Sequence, residues 1–416
     1  MAEGVAARAA AIDILGAVLG EGRLMAQVLA DPKGPLAALG PSERARAQRL
    51  ALDTLRHVEP ADRILDPLLR KAPPLLVRNV LRLAVTERAL GGAAHGVVNA
   101  AVDIVRRGKR TTHLAGLVNA VLRQIPDVPF SALPPQRLPR WLRQPLVHLH
   151  GRDVVAAIEA VQARTPPVDL TLRQGFAAPE GTLLPSGSLR LQAGAQLSSL
   201  PGYAEGGWWV QDAAAALAVP LLAPEAGQRV LDLCAAPGGK TLQLAAAGAE
   251  VTALDISEPR LARLRDNLAR TGLAARVVVG DALAFTEDGF DAVLLDAPCS
   301  ASGTIRRHPD LPFVKDGSEL AELTDLQSRL IDHALTLVKP GGRLVFCTCS
   351  LLPEEGEAQL HAALTRHPGL TVERRELAGV QPDWWTQDGA LRLRPDYWAD
   401  QGGMDGFFMV RLRKPA

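Results

Sequence analysis

Apolar side chains recur at helical spacing through the first 127 residues. Ala7–Leu19 places them at Ile12, Leu15, Val18 and Leu19, and the same spacing runs over Arg44–Val58, Ala61–Leu69, Leu75–Leu90, Val97–Arg107 and His113–Arg123. Pro41-Ser42 forms a helix entry, while Pro73-Pro74 and Gly91-Gly92 punctuate the run. No strand-type alternation interrupts it, so residues 1–127 are expected to form an all-α bundle of six or seven helices. Prolines 126, 129, 134, 135, 139 and 145 then predict a linker over 128–145. Residues 146–225 read as a small mixed α/β segment, with a helix at Arg152–Gln162 and a strand at Val168–Arg173. Its Trp208-Trp209 pair could stack on bases, but at a domain seam burial is the better expectation.

From 226 to 416 the period changes to short apolar runs separated by helices. Strands are predicted at Arg229–Leu233, Glu250–Leu254, Arg276–Val279, Phe290–Leu295, Arg343–Cys347, Leu370–Arg375 and Gly406–Arg413. Helices are expected at Thr241–Ala246, Glu258–Arg270, Leu320–Leu337 and Glu355–Arg366. The alternation means an α/β fold with a mostly parallel, doubly wound, Rossmann-like sheet. The last two strands lack an intervening helix and predict an antiparallel hairpin at one edge.

A net charge of +1 gives no global signature, yet residues 1–130 hold 18 basic and 12 acidic side chains. That excess of six fits either an arginine-rich helical face or a nucleic-acid surface. Arg106, Arg107, Lys109 and Arg110 cluster at one expected helix end, where they could complement the helix dipole or meet phosphates. Four cysteines without a CxxC pair argue against disulfides and structural zinc, so no metal site is expected. With no signal peptide and no apolar run approaching the ~18 residues of a membrane span, a cytoplasmic protein is expected, with no membrane partner.

The candidate chemistry lies at the strand ends, where open α/β sheets bind ligands. The first strand runs into Cys234-Ala235-Ala236-Pro237-Gly238-Gly239-Lys240 and a helix start, a junction that lets backbone and free N–H groups approach a nucleotide-like ligand. Gly239-Lys240-Thr241 resembles the tail of a phosphate-binding loop, but GxxxxGK[ST] needs glycine where Cys234 stands. Asp255 and Asp281 end the next two strands. Either could be a helix cap; together, beside the glycine turn, they suit ribose hydroxyls and an adenine amino group. Asp296-Ala297-Pro298-Cys299 and Cys347-Thr348-Cys349-Ser350 put two thiols at neighbouring strand ends. Methylation of a pyrimidine at C5 gives them a purpose: a thiolate adding to C6 turns the ring into an enamine that can take a methyl group. Methylation of an amino group needs no thiol. Cys347 is expected to be a buried apolar filler. Strand chemistry alone does not rank Cys299 against Cys349.

These stretches, with Gly303-Thr304-Ile305-Arg306-Arg307-His308-Pro309-Asp310, Pro353-Glu354-Glu355 and Asp405-Gly406-Phe407-Phe408, resemble the Sun family of RNA cytosine-C5 methyltransferases over residues 205–416. Gln211-Asp212 matches the family's lead-in to the first strand. Gly116-Leu117-Val118-Asn119-Ala120-Val121-Leu122-Arg123 resembles the end of a NusB-like RNA-binding domain, which points to the bacterial branch acting on small-subunit (16S) ribosomal RNA. The resemblance implies a seven-stranded methyltransferase sheet and S-adenosylmethionine as cofactor. It implies Cys349 as nucleophile and Cys299 as the residue of proton removal or release, with Asp296 at the target base. Cys234 to Lys240, Asp255, Arg260, Asp281 and Asp296 would line the cofactor and target site; Arg306, Arg307 and His308 would face RNA. Arg173-Gln174, Gly356 and Met404 depart from the family pattern and touch only details of RNA contact. A monomer with no obligate protein partner is expected. Transfer RNA as substrate, a non-catalytic RNA-binding assembly factor and an NTPase are the competing readings.

Overall fold

Helices form at the start of the chain where one apolar stripe meets another. In the computed structural model, which describes residues 4–192 and 194–416, α1 (Val5–Glu21) buries residues on almost every side, among them Ala7, Ile12, Ile14, Leu15 and Val18. It stops at Gly22, whose left-handed φ of 66° closes the helix by donating its N–H to Ala17 O. Around it stand α2 (Met25–Ala30), α3 (Pro41–Arg56), α4 (Val58–Leu65), α5 (Leu75–Ala89), α6 (Ala94–Arg107) and α7 (Ala115–Gln124). The short α2 was not legible in the sequence. His57, at φ −128°, separates α3 from α4, so the continuous stretch expected to Val58 is broken.

The proline-rich stretch departs from expectation. Arg140–His150 is a helix (α8) that follows Pro139 and carries Pro145 inside it, and α9 (Arg152–Gln162) comes next. An internal proline removes one helical hydrogen bond; burial of Leu142 and Leu146, four apart and fully enclosed, offsets that loss. The chain divides into two units, Met1–Thr165 with Ile305–Asp316 and Pro166–Thr304 with Gly317–Ala416. The first division therefore falls after α9 rather than within residues 128–145. Polar contacts show why α8 and α9 go with the helices: Gln136 Nε2 donates to Leu55 O at 3.2 Å, and the Arg137 N–H donates to Glu59 Oε2 at 2.9 Å. Glu159, itself buried, accepts the Leu138 N–H at 3.0 Å and Arg143 Nε at 2.8 Å.

The second unit opens with a small antiparallel sheet of β1 (Val168–Leu172), β2 (Thr182–Leu183), β3 (Leu189–Leu191) and β4 (Trp208–Val210), in the order β2-β3-β1-β4. Trp208 and Trp209 are both buried, as expected. After α10 (Ala218–Leu222) come β5 (Arg229–Leu233), α11 (Gly239–Ala246), β6 (Glu250–Asp255), α12 (Glu258–Thr271), β7 (Arg276–Val279) and β8 (Phe290–Asp296). Ile305–Asp316, with the one-turn α13 (Leu311–Val314), belongs to the helical unit. The chain continues through α14 (Leu320–Leu337), β9 (Val338–Thr348), α15 (Glu357–Arg366), β10 (Thr371–Val372), β11 (Leu391–Leu393) and β12 (Phe407–Arg413).

The large sheet has the order β10-β12-β9-β8-β5-β6-β7. β7, β6, β5, β8 and β9 are parallel neighbours, and β12 is antiparallel to β9. Val230, Leu231, Leu233 and Ala292 to Leu295 are fully buried, as continuous apolar strands covered on both faces must be. The edge differs in detail from a simple hairpin. β12 inserts between β9 and β10, and β11, which the sequence did not signal, pairs with Phe407–Met409 while β10 pairs with the far end. Strand order reverses between β5 and β8, so the crevice for a ligand opens at their carboxyl ends. Among the described residues no helix is long and apolar enough to cross a membrane.

Candidate active site

β5 delivers its last residues into a turn that only small side chains fit. Cys234 has φ 61° and Gly238 φ 107°; a Cβ on Gly238 would lie 2.3 Å from Leu264 Cδ1 on α12. The turn is braced by its neighbour strand: the Ala235 N–H donates to Leu254 O and the Ala236 N–H to Asp255 Oδ2, both at 3.0 Å. Asp255 is buried, and its other oxygen accepts the Ser257 N–H at 2.9 Å. It therefore fixes the loop and the start of α12 from one carboxylate. Arg260, on α12, donates to Ala236 O, with its guanidinium 3.9 Å from Asp255. Asp281 is exposed and accepts the Leu283 N–H at 2.9 Å, so it does cap the short helical turn that follows.

The first turn of α11 points two side chains back under the sheet's crevice. Thr241 donates to Asp232 Oδ2 at 2.5 Å, and Lys240 Nζ lies 2.7 Å from Asp296 Oδ2 at the end of β8. Burial pulls the Lys240 ammonium down, but Asp296, Cys347 and Asp232 together outweigh it and hold the pKa above the ordinary lysine range. Burial pushes the fully enclosed Asp232 carboxyl up to about 7 against the Thr241 hydrogen bond and the Lys240 charge. Asp232 opens the sequence motif of the glycine turn, but the sequence reading gives it no role in the site, because it lies inside an apolar strand.

Cys299 and Cys349, from the loops after β8 and β9, stand with their Sγ atoms 3.4 Å apart, and both are half-buried. The hydrogen bond with Cys349 and then burial push the Cys299 thiol well above the ordinary thiol range. Burial, followed by Asp296, does the same to Cys347, which is fully enclosed and directs its thiol at Asp296 Oδ1 from 3.5 Å. Cys234 is pushed up to about 12, chiefly by burial and then by Asp296. Three of the four cysteines are thus held as neutral thiols. Lys240, Asp296 and Cys347 form one connected group, and Cys299 and Cys349 form another.

Arg306 requires a correction. Its side chain is 1 % exposed and its carbonyl accepts Arg56 Nη1 at 2.6 Å, so it is packed within the helical unit rather than facing solvent. Arg307 and His308 are exposed. Gln211 explains the sequence pattern around it: it accepts from Trp209 Nε1 and Thr171 Oγ1 and donates to Gln243 on α11, linking the small sheet to the helix of the glycine turn.

Residues 219–413 match the family described as 16S rRNA methyltransferase RsmB/F, and residues 5–127 match the NusB family. Ribosomal RNA small subunit methyltransferase B of Salmonella arizonae is 36% identical over 408 residues, covering 89% of this chain and 91% of that protein. The protein of the same name from Citrobacter koseri is 36% identical over 407 residues with the same coverage. The chain belongs to the 16S rRNA methyltransferase RsmB/F family. The RsmB/F match contains the glycine turn, both cysteine loops and the β12 edge, while the NusB match ends with α7 and leaves α8 and α9 outside both. Among solved structures, PH0851 superposes with a TM-score of 0.74 over 99% of this chain and 98% of its own, at 24% identity. A methyltransferase homologue from Pyrococcus horikoshii reaches a TM-score of 0.56 at 26% identity, over 65% of this chain and 93% of its own.

Proposed function

We propose that this RsmB/F-family methyltransferase uses S-adenosylmethionine to methylate C5 of a cytosine in 16S ribosomal RNA through a covalent bond to Cys349. The observation that carries the reading is the 3.4 Å contact between Cys299 and Cys349; Asp296, at the end of the strand that leads to Cys299, is fixed by the buried Lys240. The residues fit the cofactor: a glycine cradle that a Cβ would fill, the N-terminus of α11, and the carboxylates Asp255 and Asp281 at successive strand ends. S-adenosylmethionine, when bound by these groups, supplies the methyl group. Lys240 keeps the Asp296 carboxylate oriented toward the amino group and N3 of the target base. Cys349, as thiolate, forms a bond to C6, and the electron pair so displaced makes C5 the nucleophile for the methyl group. Removal of the C5 proton then returns the electrons to the ring and expels Cys349. Cys299, kept a neutral thiol by its contact with Cys349 and by burial, is the acid at hand to protonate the Cys349 sulfur as it leaves. The target cytosine must leave its stack, which costs a few kcal/mol.

The test uses wild type, Cys299→Ala and Cys349→Ala with labelled S-adenosylmethionine and small-subunit ribosomal RNA, followed by a denaturing gel. Protein crosslinked to RNA should accumulate in Cys299→Ala and be absent in Cys349→Ala. The reverse pattern would exchange the two roles, and methylation surviving in both variants would rule out a covalent route. Methylation of transfer RNA in preference to ribosomal RNA would move the substrate.

A further inference from the structure

Glu355 is fully buried in the short turn between β9 and α15, and among the described residues it has no ion-pair partner. A carboxylate so enclosed costs several kcal/mol unless hydrogen bonds replace its water. Here four donors do so. Oε1 accepts the Ser300 N–H at 2.8 Å and Gln327 Nε2 at 3.1 Å; Oε2 accepts the Ser300 and Ser350 hydroxyls, each at 2.5 Å. Ser300 directly follows Cys299, and Ser350 directly follows Cys349. Gln327, from α14, also donates to Pro298 O at 2.8 Å, so Cys299 is held on both flanks. Ser302 Oγ closes the network, 3.0 Å from Ser300 Oγ and 3.2 Å from Ser350 Oγ, and accepts the Leu351 N–H.

We infer that Glu355 is the positioning residue of the cysteine pair: one buried carboxylate holds the loop after β8 and the loop after β9 in the register that brings Cys299 and Cys349 into contact. This rests on the reading of those two thiols as the reactive pair. Glu355 touches neither substrate nor cofactor and acts through Ser300 and Ser350. Its charge reaches the chemistry as well, adding to the hydrogen bond with Cys349 and to burial in keeping Cys299 a thiol. Two backbone bonds also join these segments, from the Ala297 N–H to Cys347 O at 2.9 Å and from the Gly303 N–H to Cys349 O at 3.0 Å; the Glu355 network adds the side-chain link at the residues that directly follow the two cysteines.

Glu355→Gln removes the charge and turns one acceptor into a donor facing donors. Three readouts are compared with wild type: the pH profile of Cys299 alkylation, followed by peptide mass spectrometry on the protein alone; S-adenosylmethionine affinity; and kcat and KM on small-subunit ribosomal RNA. Cys299 should react at lower pH than in wild type, and kcat should fall on the order of 10²-fold, the scale of a small misplacement of reacting groups. Cofactor affinity and KM for RNA should stay near wild type. If Glu355→Gln does not fold, Ser300→Ala/Ser350→Ala keeps the charge and two of the four bonds. Its kcat should fall, and the ratio of alkylation rates at Cys299 and Cys349 should change. An unmoved alkylation profile with unchanged kcat overturns the proposal, as does a kcat loss matched by an equal loss of cofactor affinity. If wild type itself fails to methylate ribosomal RNA, the alkylation profile alone decides: a shift sustains the positioning role and counts only against the substrate reading.

Discussion

Asp232 shows how a single buried acid can set the pH response of this site. Its carboxyl is fully enclosed, Oδ1 has no hydrogen-bond partner among the described residues, and burial raises its pKa from 3.8 to about 7. A pKa raised by folding stabilises the folded state fully below the unfolded value, and that stability is lost as pH rises through the folded value. The loss is on the order of 4 kcal/mol between pH 4 and pH 8, at 1.36 kcal/mol per unit. Asp232→Asn should remove this dependence while keeping an acceptor for Thr241, so chemical denaturation at pH 5 and pH 8 should show a smaller difference than in wild type. Equal differences would assign the titration elsewhere. Gly238→Ala tests the cradle at the same scale. The methyl group would meet Leu264 and the residue would sit at φ 107°, so about 1–3 kcal/mol of strain is expected. Titration calorimetry should show weakened S-adenosylmethionine binding, and unaltered binding would mean that the turn is not the cofactor cradle.

Elements were legible where one periodicity ran without competition. α1, α5 to α7 and the parallel strands β5 to β8 stand within a few residues of their predicted limits because their apolar patterns match the cores they enter. The strand-end positions of Lys240, Asp296, Cys299 and Cys349 were legible because each ends or follows a strand whose apolar run marks it. Glu355 was seen only as part of a sequence pattern, since nothing local tells a buried carboxylate from a helix-entry acid. β11 is three residues long and exists only as a partner of β12, so no local signal precedes it. α8 was hidden by its prolines, yet it carries a cleft of about 830 Å³ lined by Arg137, Arg140, Arg143, His148 and Arg152. Residues 128–152 contain no Asp or Glu, and among the described residues Arg143 alone of these arginines is paired with a carboxylate, that of Glu159. Each phosphate contact contributes roughly 0.7 to 0.9 to the salt slope of RNA binding. Arg137→Gln/Arg140→Gln/Arg152→Gln should therefore lower that slope by roughly 2 to 3 and weaken binding to all sequences alike, with cofactor affinity unchanged. A slope identical to wild type would place the phosphate contacts on another face.

The molecule as a whole is not divided where the sequence divides. Ile305–Asp316 lies between two elements of the methyltransferase unit, yet its side chains complete the helical one: Phe313 and Val314 pack on the helical core, and Trp141 Nε1 donates to Lys315 O at 3.0 Å. A contiguous reading assigns such a segment to its flanks and so places Arg306 against RNA, whereas it is an interior side chain. Asp310 makes the clearest test, because it is 4 % exposed and accepts the Met25 N–H at the start of α2 at 2.9 Å. That bond crosses 285 residues of sequence and caps a helix whose own N-cap, Leu24, offers no side-chain acceptor. Removing a buried acceptor leaves its donor unsatisfied, at a cost of about 1–3 kcal/mol. Asp310→Ala in the full chain should therefore lower the melting temperature, and amide exchange at Met25 and the following turn should quicken. S-adenosylmethionine affinity should not change, because the glycine turn and the carboxylates proposed to hold the cofactor all lie in the other unit. A variant as stable and as protected at Met25 as wild type would show that Ile305–Asp316 does not anchor the helical unit in solution.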